Sequence, residues 1–272
     1  MENRENDLFN KILNTHKKYL KPIEFPTEKC SGRKNELELM EETMLKKRMN
    51  NILLIGNAGT GKTMLVQEYA RRHKDEVIIL TVSTNGLVAG TQFRGSFEEK
   101  VHLLLEDVSE YNRIIREYHY DKPIKPIILF IDEIHTIINL GASSCVPDST
   151  GLDNILKPYL SSNKITLIGA TTQQEYDLHI RQDKALVRRL GVIKVKALCK
   201  ERIMEILKNF SEGIISDEYL NYIFDESLKL YGDNPDLSIE ICDRAMAKAK
   251  RLKSEKVTKK HIDQVIASME HK

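Results

Sequence analysis

A chain of 272 residues, 41% of them hydrophobic, can fill one large core or two small ones. Its 42 lysines and arginines against 40 aspartates and glutamates leave a net charge of +2, too weak a field to argue for nucleic acid or membrane as the main partner. Its longest apolar runs are strand-sized, and nothing apolar follows the polar start, so neither a membrane span nor a secretory signal is expected.

In chain order, Leu8, Ile12, Leu13 and Tyr19 fall at loosely helical spacing over Asp7 to Leu20, and Pro22 and Pro26 break the pattern. A second helix is predicted from Asn35 to Lys47, with Leu37, Met40 and Leu45 on one side. Asn51 to Ile55 is an apolar run ended by a glycine and reads as a buried strand; Val77 to Val82, Ile127 to Ile131 and Ile165 to Ile168 read likewise. Helical patterns lie between them, notably Met64 to His73 and Phe97 to Tyr118. Alternating strands and helices predict an α/β fold with a mainly parallel sheet flanked by helices on both faces. After about Ala197 come four helical stretches without a strand: Glu201 to Phe210, Asp217 to Tyr231, Ser238 to Leu252, and Thr258 to Met269, where Thr258 is a candidate N-cap. The expected organisation is an N-terminal extension over 1–30, an α/β domain over 31–196 and a small C-terminal helical lid over 197–272. The cysteines Cys30, Cys145, Cys199 and Cys242 stand far apart with no C-x-x-C pair, which predicts a reduced, cytoplasmic protein with incidental thiols.

Gly56-Asn57-Ala58-Gly59-Thr60-Gly61-Lys62-Thr63 fits G-x-x-x-x-G-K-[ST] between a strand and a helix. The glycines permit a turn in which successive N–H groups converge on phosphate oxygens, and the start of the helix adds its positive end. Lys62 can reach the β- and γ-phosphates, and Thr63 offers a hydroxyl to Mg²⁺. The setting implies binding of a nucleoside triphosphate.

Ile127 to Ile131 runs directly into Asp132 and Glu133. A buried strand that ends in two acids delivers them where open α/β sheets bind ligands. Asp132 would organise Mg²⁺ through its water shell, and Glu133 would orient and polarise the attacking water.

Five separated segments then occur in one order: Leu87-Val88-Ala89-Gly90-Thr91-Gln92-Phe93-Arg94-Gly95-Ser96-Phe97-Glu98, Asp132-Glu133-Ile134-His135-Thr136, Asn154-Ile155-Leu156-Lys157-Pro158-Tyr159-Leu160, Leu167 to Tyr176, and Ala185-Leu186-Val187-Arg188-Arg189. Together with the phosphate loop they resemble the first ATPase module of the Clp unfoldases, an AAA+ P-loop fold, over most of the chain from about Gly32. The resemblance implies ATP hydrolysis with Mg²⁺ in a ring, most often a hexamer, of like or other Clp-type subunits acting on a polypeptide. Thr172 matches the first sensor, which would detect the γ-phosphate. Arg188 and Arg189 match the arginine fingers that reach a neighbour's nucleotide, a role suited to a fixed planar charge. Gln92, Phe93 and Arg94 match the axial pore loop, whose aromatic residue grips the threaded chain, and the polar stretch Gly141 to Gly151 reads either as a second axial loop or as plain surface. His135 also matches and is read as structural.

Some positions depart from the family. Cys30-Ser31 precede Gly32-Arg33 where apolar residues are usual, Asn57-Ala58 replace Glu-Pro, and Gln92 stands where Lys is common. Pro235-Asp236-Leu237-Ser238 lacks the lid lysine, which leaves sensing by the lid in question. The length leaves no room for the family's substrate domain, middle domain or second ring. The leading expectation is therefore a ring ATPase that unfolds or remodels protein. The alternative is a nucleotide-switched assembly factor that acts by binding a partner, and a DNA-directed loader is disfavoured by the flat charge balance.

Overall fold

The computed structural model describes residues 2–26, 30, 32–89, 94–118, 125–140, 152–231 and 235–269. These fall into two compact units, one of Met1–Ile55 with Lys62–Lys194, the other of Gly56–Gly61 with Val195–Lys272.

The first unit is built on six strands: β1 (Leu20–Pro22), β2 (Asn51–Ile55), β3 (Ile78–Val82), β4 (Ile127–Ile131), β5 (Thr166–Thr171) and β6 (Leu190–Lys194). Their order is β1-β3-β4-β5-β2-β6, parallel throughout except for β1, which pairs antiparallel with β3. Its helices are α1 (Glu2–His16), α2 (Lys34–Met44), α3 (Lys62–Arg72), α4 (Thr84–Val88), α5 (Arg94–Tyr118), α6 (Ile134–Leu140), α7 (Leu152–Ser161), α8 (Gln173–Glu175) and α9 (Lys184–Val187), with a π-helical turn over Tyr176–Ile180. Every residue of β2 and of β4 is buried, the pattern of strands covered on both faces. Leu53, Leu80, Leu129 and Leu167 pack with Val101, Leu104 and Val108 of α5 in one cluster. Ile52, Leu54, Phe130 and Ile168 alternate with them and are equally buried, so they serve the opposite face, where α2 and α3 approach β2, β5 and β6.

The four strands read from apolar runs are present, and the two edge strands are additions. β1 has three residues and ends on Pro22, which an edge strand tolerates because one side of it needs no ladder. β6 lies beside β2 with only Leu190 and Ile193 buried, and its five residues include Gly191, so no continuous apolar run announced it. The first helix is pinned through His16, fully buried, whose Nε2 lies 2.8 Å from Asp107 of α5 and whose Nδ1 lies 2.6 Å from the Tyr19 hydroxyl.

Asn51, the first residue of β2, is also fully buried. Its Oδ1 accepts from the Leu167 N–H at 3.0 Å, and its amide donates to the carbonyls of Leu160 and Arg189, each at 3.4 Å. One side chain therefore closes the ends of β5, α7 and the segment leading into β6. Asn51→Ala should leave these groups unsatisfied at about 1–3 kcal/mol each. Thermal unfolding should show a midpoint lower by roughly 10 °C. An unchanged midpoint would mean that these three bonds contribute nothing.

The second unit contains α10 (Lys200–Ser211), α11 (Asp217–Tyr231), α12 (Pro235–Arg251) and α13 (Lys259–Met269) around Leu207, Ile223, Ile241 and Ile262. Glu212 and Gly213, both at positive φ, end α10 in the left-handed conformation usual for helix C-termini. Thr258 does precede α13, and its N–H donates to His261 Nδ1 at 3.3 Å, the reciprocal half of a capping box. Leu237, at the position of the missing lysine, packs against this helical core, and Ser238 beside it shares a buried 2.7 Å hydrogen bond with Ser227. Burial raises the thiols of Cys30 and Cys242 to about 11 and about 12, so neither is a ready thiolate. Among the described residues no helix is long and apolar enough to cross a membrane.

Candidate active site

β2 leads into the phosphate loop, and α3 begins at Lys62. Gly59 and Gly61 sit at φ 74° and 79°, conformations that side-chain-bearing residues rarely adopt. The loop is also closed from within, since the Thr60 hydroxyl donates to the Asn57 carbonyl at 2.9 Å. At Gly56 the need for glycine is steric. A Cβ there would lie 2.3 Å from the Val195 carbonyl oxygen and 2.7 Å from Thr60 Oγ1. Asn57 and Ala58 are exposed at the loop's crest, and Lys62 is buried.

Within the first unit, Thr63 Oγ1 donates to Asp132 Oδ2 at 2.6 Å, which joins the first turn of α3 to the end of β4. A hydroxyl and a carboxylate oxygen at one place are hard donors of the kind Mg²⁺ takes. Thr63 and Asp132 would hold that ion, and its charge would offset that of the phosphate oxygens.

Glu133 follows at φ 51°, a left-handed conformation that costs a non-glycine residue about 1–3 kcal/mol. Its backbone is held on both sides. Its N–H donates to Asp132 Oδ1 at 3.0 Å, and its carbonyl accepts from the N–H and the hydroxyl of Thr136 at 2.9 and 2.8 Å. The side chain remains 49% exposed, so the fold fixes where the carboxylate starts while leaving it open to water.

Thr172 caps α8 by accepting the Glu175 N–H at 3.1 Å, which leaves its own hydroxyl hydrogen for another acceptor. α9 is capped by Asp183, whose Oδ1 accepts from Ala185 and Leu186, while Oδ2 pairs with Lys157 of α7 at 2.7 Å. That helix ends at the two arginines, and they differ. Arg189 donates to Ser161 Oγ and to the Ala185 carbonyl, whereas Arg188 is exposed and its guanidinium meets no partner among the described residues. Gln92 and Phe93 lie outside the described residues, as does the stretch from Gly141 to Gly151; of Arg94 only the backbone, opening α5, is described. Sequence reasoning treated His135 as structural and passed over Glu175 and His179. The three meet beside Glu133, and no spacing along the chain could have announced it.

A mainly parallel sheet with a phosphate-loop sequence directly after an interior strand is the fold of a P-loop ATPase, and the chain belongs to the ATPase family associated with various cellular activities (AAA), which matches residues 52–196. Within it the chain is similar to the chaperone protein ClpB of Mycoplasma pneumoniae, 36% identical over 236 residues that cover 80% of this chain and 31% of that protein. It is similar also to the ATP-dependent Clp protease ATP-binding subunit ClpL of Staphylococcus aureus, 36% identical over 230 residues, 78% of this chain and 31% of that one. Among solved structures it resembles the S. cerevisiae Hsp104-ADP complex, with a TM-score of 0.73 and 25% identity over 93% of this chain and 45% of that chain. The chain thus spans about a third of the length of these curated relatives. The expected α/β fold, AAA+ membership, ATPase class and Clp likeness are borne out.

Proposed function

We propose that this chain hydrolyses ATP with Mg²⁺ at sites completed by neighbouring subunits of a ring, and that the cycle unfolds or remodels a polypeptide in the cytoplasm. The observation that carries this reading is the placement of Arg188. A capped helix, braced by the Lys157–Asp183 pair, presents an exposed guanidinium without a partner among the described residues. An arginine held out in this way fits a phosphoryl group supplied by another subunit.

In this reading Gly56 to Gly61 and Lys62 cradle the phosphates, and Thr63 and Asp132 hold the metal. Glu133 takes a proton from the attacking water, and Thr172 directs its hydroxyl hydrogen to the γ-phosphate or to that water. Arg188 and Arg189 serve the neighbouring site, and Gln92, Phe93 and Arg94 meet the polypeptide. The similarity to ClpB and ClpL supports the remodelling role.

The test is ATP turnover per subunit over a wide range of protein concentration. The expected result is a steep rise as subunits assemble, reported in parallel by light scattering. Turnover that is independent of concentration, with the chain monomeric throughout, would rule out shared sites. Turnover that appears only with an added protein partner would favour the nucleotide-switched assembly factor.

A further inference from the structure

Glu133 is a half-exposed carboxylate whose backbone is pinned while its side chain faces water. Such a side chain samples several rotamers unless something holds it. His135 Nδ1 lies 3.3 Å from Glu133 Oε2.

The imidazole is itself well fixed. It is only 13% exposed, and the fully buried Thr171 hydroxyl lies 3.1 Å from Nδ1. On the other side Glu175 Oε2 lies 3.7 Å from Nε2 and 3.1 Å from His179 Nε2. The two histidine rings stack, with centroids 6.3 Å apart and planes 16° apart. Glu175 belongs to α8, the short helix capped by Thr172. A ring held by β5 and stacked against the π-helical turn thus offers a nitrogen to a carboxylate that meets no other cationic side chain among the described residues.

We infer that His135 is a positioning residue for ATP hydrolysis, its Nδ1–H shared between the Glu133 carboxylate and the Thr171 hydroxyl while β5 and the neighbouring His179 ring hold the imidazole in place. This rests on Glu133 acting as the base. His135 touches no reacting atom itself. Its effect falls on the turnover step and leaves ATP binding alone, because misplacing a catalytic group by an ångström costs rate rather than ground-state affinity.

The experiment compares kcat and KM for ATP in the full-length chain carrying His135→Ala, His135→Asn or His135→Gln, each with and without Glu133→Gln. Asparagine places an amide nitrogen near the position of Nδ1, whereas glutamine reaches toward that of Nε2. His135→Ala and His135→Gln should lower kcat by roughly 10- to 100-fold with KM little changed. His135→Asn should recover most of that loss, and in the Glu133→Gln background none of the three should have any further effect. A normal kcat for His135→Ala beside an inactive Glu133→Gln would overturn the positioning role and leave the base in place. Equal losses for asparagine and glutamine, or a loss that appears mainly in KM, would also overturn it. Undiminished turnover in Glu133→Gln alone would instead remove the base, and the failure would then lie with the mechanism and not with His135.

Discussion

Glu133→Gln should bind ATP as the unaltered chain does while its turnover falls by about two to four orders of magnitude, the span a positioned general base contributes. The substitution keeps the size of the side chain and the left-handed turn, so the Glu133 N–H still donates to Asp132 and the Glu133 carbonyl still accepts from Thr136. What it removes is the ability to take a proton. The Thr63–Asp132 contact at 2.6 Å does not involve this side chain, so metal and phosphate binding should be unaffected. Fluorescent-nucleotide titration beside phosphate-release kinetics separates the two quantities. Tight binding with unchanged turnover would exclude Glu133 as the base, and loss of both would mean that the turn had collapsed.

Arg188→Ala should lower turnover by about three orders of magnitude in the assembled state, as removal of an arginine finger does. The change should spare nucleotide affinity, because an exposed side chain with no partner among the described residues holds nothing in its own subunit. Arg189→Ala provides the contrast. Its guanidinium braces Ser161 and the Ala185 carbonyl, and its own carbonyl accepts from buried Asn51. Its loss should therefore lower the thermal midpoint as well as the rate. Mixing Arg188→Ala subunits with Glu133→Gln subunits should restore partial activity, since some interfaces then pair an intact base with an intact finger. No restoration at any ratio would argue that Arg188 does not serve a neighbour's site.

Much of this was legible before any coordinates, for a physical reason. The phosphate loop is a contiguous motif whose function depends on local backbone conformation, so eight consecutive residues announce it. β2 and β4 are buried on both faces and so read as unbroken apolar runs, and the acids at the end of β4 follow in the same stretch. The helices after Ala197 have amphipathic periods long enough to count, and each was placed to within three residues at either end.

The edge strands β1 and β6 were not legible, because three to five residues with a proline or a glycine carry no period of their own and gain strand structure only from the neighbour they pair with. The largest gap concerned polar residues whose partners are remote in sequence. Asn51 was read only as part of an apolar run forming a buried strand, yet it bonds residues 109 to 138 positions away. His135 looked structural, yet β5 and α8 bring Thr171, Glu175 and His179 around it and turn it toward Glu133. The sequence by itself determined the ATPase class, because the phosphate loop and the acids after β4 are written in short local motifs. Only the tertiary structure decided which arginine stands without a partner among the described residues and which imidazole lies beside Glu133, because burial and hydrogen-bond partners belong to the packed chain.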